Sequence, residues 1–146
     1  MKIELKGLKH SVFASQETHC FEAALWIDGV KRGTVRNDGH GGCNCFFPCG
    51  IEAEIQAWAK TLPDCNLGAD FGTVPMSAEI LISEMVDDEI ERRQLKRACA
   101  RKTMFREAGG KYRHGEYMTI PEKFTPATKA YIHSKWPNAI ILNETI

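Results

Sequence analysis

The chain has 146 residues, 43% hydrophobic and 26% charged, which is the composition of an ordinary globular protein. Its 19 Lys and Arg residues balance 19 Asp and Glu residues, and this argues against a protein that coats nucleic acid or binds membranes through a polybasic surface. A chain of this length fits one folding unit, so we expect residues 1–146 to form a single domain.

The first residues alternate apolar and charged side chains and lack the apolar core of a signal peptide. No apolar run approaches the roughly 18 residues that a transmembrane helix needs. We therefore expect a cytoplasmic protein with no membrane contact. In that compartment the six cysteines are expected to be reduced thiols rather than disulfides.

The first third of the chain has the pattern of an antiparallel meander. Apolar residues predict a first strand that is interrupted near Gly7, and alternation over residues 20–27 predicts a second strand. Asp28-Gly29 follows, a pair that tolerates the positive φ angles of a tight hairpin turn, and residues 33–36 then form the returning strand.

Helices and short strands alternate in the remainder of the chain. Apolar spacing predicts a helix over residues 51–62, and residues 64–75 after it have the glycine and proline content of a loop. Ser77 and Thr125-Pro126 are helix-start signals, and they predict helices over residues 77–102 and 126–136. Short strands are predicted at residues 103–107, 116–120 and 139–142, the last of them central in a sheet. This order predicts an α+β fold, in which a mostly antiparallel sheet has three helices packed on one face.

The segment after the hairpin concentrates the reactive groups of the chain in nine residues, Asn37-Asp38-Gly39-His40-Gly41-Gly42-Cys43-Asn44-Cys45. Its three glycines would let backbone amides approach an anion closely, and a helix begins soon after. We predict that a phosphate or nucleotide binds here, through Asn37, Asp38, Gly39, His40, Gly41, Gly42 and Asn44. A structural turn that needs glycine at positive φ explains the same residues.

The cysteines of this segment allow two further interpretations. Imidazole and thiolate groups suit a four-ligand zinc site, formed by His40, Cys43, Cys45 and Cys49. Alternatively, Cys43 or Cys45 is a nucleophile with His40 as its base. Small buried thiols explain the cysteines without metal or catalysis.

Asp38-Gly39-His40-Gly41-Gly42 resembles the metal-binding signature of the metal-dependent serine/threonine protein phosphatases. The resemblance implies that Asp38 bridges two divalent metals, that the Gly39 carbonyl binds one of them, and that His40 is a general acid. The other aspartate motifs of that family are not found in the chain, and we interpret the match as coincidental. The alternative function is nevertheless a small metal-dependent phosphoesterase or thiol hydrolase centred on Asp38, His40 and Cys43.

A second candidate surface is basic. Between residues 92 and 113, nine lysines and arginines face one acid, Glu107, with aromatic residues interleaved. Such a cluster can follow a phosphate backbone while aromatic rings stack on bases. We predict phosphate contacts from Arg97, Arg101, Lys102, Arg106, Lys111 and Arg113. A solvated helix whose cations match the helix dipole explains the same charges.

Two stretches resemble small phage- or prophage-encoded proteins of unassigned function: Trp26 to Gly42, and Lys102 to Arg106 continuing through Gly115 to Tyr117. The resemblance implies an accessory protein that acts on host machinery, such as an antagonist of a nucleic-acid or nucleotide-signalling defence. The sequence as a whole predicts a non-enzymatic binding protein. Its partner would be a nucleotide, a nucleic acid or a host protein complex.

Overall fold

Antiparallel strands and three helices make up the computed structural model, which describes residues 1–108 and 116–146. The predicted α+β class is confirmed, with the strands distributed over three sheets. The described residues group into two units, Met1–Asp87 and Asp88–Ile146. None of the helices in the described part of the chain combines the length and apolarity of a bilayer crossing.

The first unit is built on a four-stranded antiparallel sheet in the order β1-β2-β3-β4. Its strands are β1 (Ile3–Ser11), β2 (Cys20–Ile27), β3 (Val30–Asp38) and β4 (Cys45–Phe47). Asp28 and Gly29 have φ angles of 49° and 79°, so the predicted tight turn joins β2 to β3. Strand β1 lies at one edge of the sheet, and the short β4 forms the other edge.

Two helices follow the sheet, α1 (Gly50–Ala59) and α2 (Ala78–Cys99). Ser77 occupies the predicted capping position of α2, where its Oγ accepts a hydrogen bond from the backbone N–H of Ile80 at 3.2 Å. The segment predicted as a loop between the helices contains two paired strands of two residues, β5 (Cys65–Asn66) and β6 (Thr73–Val74).

The two faces of the four-stranded sheet differ in burial. The inner side chains of β2 are all buried, namely Phe21, Ala23, Leu25 and Ile27. Helix α1 and the first half of α2 supply further buried apolar residues, including Ile51, Ile55, Ile82 and Val86. The alternate residues of β2 point to an outer face that no helix of this unit fills with buried side chains.

The second unit holds the end of α2, a three-stranded sheet and helix α3 (Pro126–Lys135). The sheet order is β8-β7-β9, with β7 at Thr103–Glu107, β8 at Met118–Ile120 and β9 at Ala139–Ile141. Thr125 caps α3 through a capping box, as Thr125-Pro126 predicts. Strand β9 is an edge strand rather than the predicted central one, because β7 pairs with both of its neighbours.

Candidate functional site

The outer face of the four-stranded sheet carries a row of side chains that crosses all four strands. The register pairs Lys9 with Glu22, Glu22 with Arg36, and Arg36 with Cys45. Residues paired in this way project from the same face of a sheet, and all four are exposed. The row therefore sets a cation on each side of a carboxylate.

Two β-bulges turn these cations outward. In β1 the register shifts at Gly7, whose φ is 64°, and beyond it Leu8 is buried and Lys9 is exposed. In β3 the unpaired residue is Arg32, and Arg36 follows on the outer face. An extra residue in one strand moves every later side chain to the opposite face, so both cations owe their exposure to a bulge.

A cavity of about 920 Å³ opens beside this row. Its lining includes Lys9, His10, Cys20, Glu22, Arg36 and Asp38. Small-ligand sites in proteins measure roughly 300–1,000 Å³, so the cavity is large enough for a nucleotide. Among the residues that the structure describes, no ion pair engages Lys9 or Arg36, and both charges are available to a ligand.

An exposed ring, Phe47, and a half-buried ring, Trp26, lie on the same outer face. The guanidinium carbon of Arg36 is 4.9 Å from the centroid of the Phe47 ring, and the Phe47 side chain is 42% exposed. The Lys6 ammonium lies 3.9 Å from the centroid of the Trp26 ring. Cation–aromatic contacts of this kind hold long side chains over a ring, which leaves Arg36 already placed at the wall of the cavity.

Asn37, predicted as a ligand donor, is buried and holds the loop together. Its Nδ2 donates to the carbonyl oxygen of Gly42 at 2.8 Å and to Asn44 Oδ1 at 3.1 Å. Its Oδ1 accepts hydrogen bonds from Gly39 N at 2.9 Å and from Thr18 Oγ1 at 2.8 Å. Two donors and two acceptor positions are the capacity of a side-chain amide, so nothing is left over for a ligand.

Asn44 is also buried, and it joins the loop to α2. Its N–H donates to both carboxylate oxygens of Glu79, at 3.1 and 2.9 Å, and its Nδ2 donates to Ser83 Oγ at 3.3 Å. Glu79, Ser83 and Asp87 are spaced four residues apart and share one face of α2. Because Asp87 contacts His19 Nε2 at 3.0 Å, this polar stripe holds two loops of the first unit.

The amides of Gly39, His40 and Gly41, which were predicted to cradle an anion, are hydrogen-bonded within the protein, and a neighbouring group of amides binds a loop carbonyl. The backbone N–H groups of residues 16–18 converge on the Gly39 carbonyl oxygen, at 3.0, 3.0 and 3.4 Å. Amides that converge in this way form an anion-binding nest, and here the chain fills it with its own carbonyl. The N–H of His40 donates to Asp38 Oδ1 at 3.2 Å, and that of Gly41 donates to Thr18 Oγ1 at 3.3 Å.

Two of the three loop glycines are required by the backbone. Gly39 and Gly41 have φ angles of 86° and 88°, and a Cβ at Gly39 would collide with the Ala14 carbonyl oxygen. A Cβ at Gly42 would meet open space. The interpretation of the glycines as a structural turn therefore accounts for Gly39 and Gly41.

The predicted zinc ligands are not assembled. Within residues 1–108 and 116–146, no group of three or more His, Cys, Asp or Glu side chains is arranged to hold a metal ion, and this includes His40, Cys43, Cys45 and Cys49. The three cysteines are exposed, and their positions explain the failure, because Cys45 lies on β4 while Cys49 stands at the start of α1. His40 Nδ1 lies 3.2 Å from Gln16 Oε1.

The geometry also departs from the phosphatase signature. In that family the carbonyl at the position of Gly39 binds a metal, whereas here the same oxygen accepts three amide hydrogens. Asp38, which would bridge two metals, accepts a hydrogen bond from the backbone of His40. The five residues therefore match the phosphatase signature in sequence only, and Gly39 and Asp38 do not have the contacts that metal ligands have in that family.

The thiols differ in exposure, and Cys20 and Cys99 are half-buried. Cys43, Cys45 and Cys49 are exposed, whereas Cys65 is buried. Cys65 Sγ donates a hydrogen bond to Glu84 Oε1 at 3.2 Å, and this bond, with burial and the nearby carboxylate charge, raises the pKa of the Cys65 thiol. We therefore expect the Cys65 thiol to be less reactive than the exposed thiols.

The cations of the basic segment differ in their environment. Glu89 accepts hydrogen bonds from Arg92 at 2.8 Å and from Arg93 at 2.7 Å, and these contacts, Arg92 foremost, lower the pKa of Glu89 from 4.5 to about 2. Arg97, Arg101 and Arg106 are exposed and Lys102 is half-buried, with no ion pair to any of the four in the described part of the chain. Lys111 and Arg113 lie outside the described residues.

Lys9, Glu22 and Arg36 were missed as site residues by sequence reasoning, although a signal exists. The alternation of β2 already turns Glu22 away from the buried side chains. His10 and His19 were also not predicted as site residues; they lie nine residues apart in sequence, and their ring nitrogens are 3.2 Å apart.

No family model, curated protein or solved structure matches the chain.

Proposed function

We propose that this protein is a non-enzymatic binding protein whose ligand is a nucleoside phosphate held on the outer face of the β1–β4 sheet. One observation carries the proposal. Lys9 and Arg36 lie on the wall of a cavity of about 920 Å³, exposed and without an ion-pair partner among the described residues.

The charge pattern of the site favours a ligand that carries both phosphate and hydrogen-bond donors. Arg36 and Lys9 would bind phosphate oxygens, Arg36 through the two parallel donors of its guanidinium group. Glu22 and Asp38 lie beside them and would accept hydrogen bonds from ribose hydroxyl or base amino groups. A duplex presents mainly its phosphate backbone, so a free nucleotide or a short single strand fits better.

Aromatic rings of the outer face supply the remaining contact that a nucleotide needs. Phe47 lies under Arg36, and Trp26 lies under Lys6. A base that stacks on an exposed ring contributes about 1–3 kcal/mol to binding. Phe47, as the more exposed of the two rings, is the expected stacking partner.

The second unit, taken by itself, also carries cations. Arg97, Arg101, Lys102 and Arg106 would make sequence-independent contacts to the phosphates of an oligonucleotide. These contacts are a prediction separate from the site on the first unit.

Fluorescence anisotropy with two labelled probes tests the proposal, one a nucleoside monophosphate and one a single-stranded hexanucleotide. The informative variant is Arg36→Gln, and its matched control is Arg32→Gln, an arginine of the same strand that pairs with Glu54 at 2.9 Å. Losing a charge-assisted contact of about 1.5–3 kcal/mol should weaken binding about 10- to 100-fold. Arg32→Gln should leave the affinity for both probes unchanged.

The two probes separate the sources of the phosphate. If the ligand is a free nucleotide, the two probes bind with similar affinity and both depend on Arg36. If it is a short nucleic acid, the hexanucleotide binds more tightly than the monophosphate, and the logarithm of its affinity falls more steeply with the logarithm of the salt concentration. Absence of binding of either probe, or equal losses for Arg36→Gln and Arg32→Gln, would refute the proposal.

We further propose that the protein is a phage-type accessory protein. A protein that sequesters a nucleotide would antagonise a nucleotide-signalling defence, which is the role implied by the resemblance to phage proteins. Binding of the protein to a host protein complex is a prediction.

A further inference from the structure

The side chain of His10, which lines the cavity, contacts the side chain of His19. His10 Nε2, from β1, lies 3.2 Å from His19 Nδ1, which precedes β2. Their ring centroids are 5.0 Å apart and the ring planes are inclined at 79°. Two ring nitrogens at this distance are close enough to share a proton.

The spacing fits metal binding as well as it fits a hydrogen bond. A zinc–imidazole bond is about 2.0–2.1 Å long, so two nitrogens in a tetrahedral site are about 3.3 Å apart. The observed 3.2 Å lies close to this value.

The far side of His19 is arranged as in known metal centres. His19 Nε2 lies 3.0 Å from Asp87 Oδ1, the last residue of the polar stripe on α2. A carboxylate at one imidazole nitrogen holds the proton there and leaves the other nitrogen as a lone pair, a pattern that usually accompanies metal-binding histidines. Asp87 thus directs the lone pair of Nδ1 toward His10.

Ser15 supplies an oxygen beside the pair. Its Oγ lies 3.3 Å from His10 Nε2 and is fixed by a 2.6 Å hydrogen bond to the Ser11 carbonyl oxygen and a 2.8 Å bond from Cys20 N. An oxygen held in this way can hydrogen-bond a metal-bound water.

We propose that His10 and His19 bind a divalent transition-metal ion of the zinc type, oriented by Asp87. Imidazole is a ligand that suits zinc, copper and nickel ions. Two protein ligands leave coordination positions for water or for an added ligand at the rim of the cavity. This inference goes beyond the proposed function, because the site needs no nucleotide to form.

Optical titration with Co²⁺ in the absence of nucleotide, followed by displacement with Zn²⁺, tests the site. The full-length chain should carry serine in place of Cys43, Cys45 and Cys49, because exposed thiols would compete for the ion. We expect one Co²⁺ to bind with visible d–d absorption. His10→Gln and His19→Gln should each weaken binding at least 10-fold, and Asp87→Asn about 10- to 100-fold.

His40→Gln is the matched control, since His40 is an exposed histidine whose Nδ1 contacts only a neutral amide. It should leave the affinity for Co²⁺ unchanged. Circular dichroism of each variant confirms that a lost signal is not lost folding. The proposal would be overturned if the protein with both His10→Gln and His19→Gln bound Co²⁺ as tightly as the protein with both histidines. It would also be overturned if His40→Gln weakened binding as much as His10→Gln, or if no Co²⁺ bound at all.

Discussion

The buried amide of Asn37 determines how the loop of the first unit is held, and Asn37→Ala tests it. The change removes four hydrogen bonds of 2.8 to 3.1 Å, and two of these join fully buried groups. Each contributes about 1 kcal/mol net, so the free energy of unfolding should fall by about 4 kcal/mol. With an m-value of about 2 kcal/mol/M, the urea midpoint measured by circular dichroism should fall by about 2 M.

Asp38→Ala provides the comparison for this measurement. Asp38 is the next residue of β3, faces outward, and accepts one exposed hydrogen bond at 3.2 Å. Its replacement should cost less than about 1 kcal/mol. If Asn37→Ala costs no more than Asp38→Ala, then the loop is not held by the buried amide, and Asn37 returns as a candidate ligand donor.

Three further perturbations follow from contacts described above. Gly39→Ala should lower the melting temperature by several degrees because of its positive φ and the carbonyl collision, whereas Gly42→Ala should change it little; equal effects would contradict the turn. Glu89→Gln should remove an acid sensitivity: the folded pKa of Glu89 is lowered from 4.5 to about 2, so its carboxylate stabilises the fold above pH 4.5 and loses this contribution as the pH falls through 2. Melting curves of the two proteins should therefore converge near pH 2, and a difference that is constant with pH would refute the linkage. Cys65 should be alkylated by iodoacetamide more slowly than Cys43, as measured by peptide mass spectrometry, and equal rates would show that its raised pKa does not control its reactivity.

The elements that local chemistry determines could be predicted from the sequence. The Asp28-Gly29 turn, the alternation of β2 and the Thr125-Pro126 helix start each depend on residues adjacent in the chain. Strand β4 was missed because three residues are too few to show a period. The pairing of β7 with β9 was missed for a different reason, since it joins residues more than thirty positions apart.

The candidate site as a whole could not be predicted because it depends on register, and only the outward position of Glu22 follows from the alternation of β2. With an unbroken ladder from the Asp28-Gly29 turn, Glu22 would pair with Val35, and Arg36 would point inward. The bulge at Arg32 shifts the pairing by one residue, so that Glu22 faces Arg36. The residues around Arg32 do not predict a bulge. Gly7 predicts an interruption of the first strand, but the sequence does not show that this interruption moves Lys9 to the outer face.

Strand β1 has a bearing on self-association. Its nine residues form an edge of the sheet, and an open edge of that length can recruit a second chain by continuing the ladder. The kink at Gly7 and the lysines beside it break the straight, neutral template that such stacking requires. A variant without the kink would be the form in which to look for filaments, and the bulge that exposes Lys9 would then also keep the protein dispersed at high concentration.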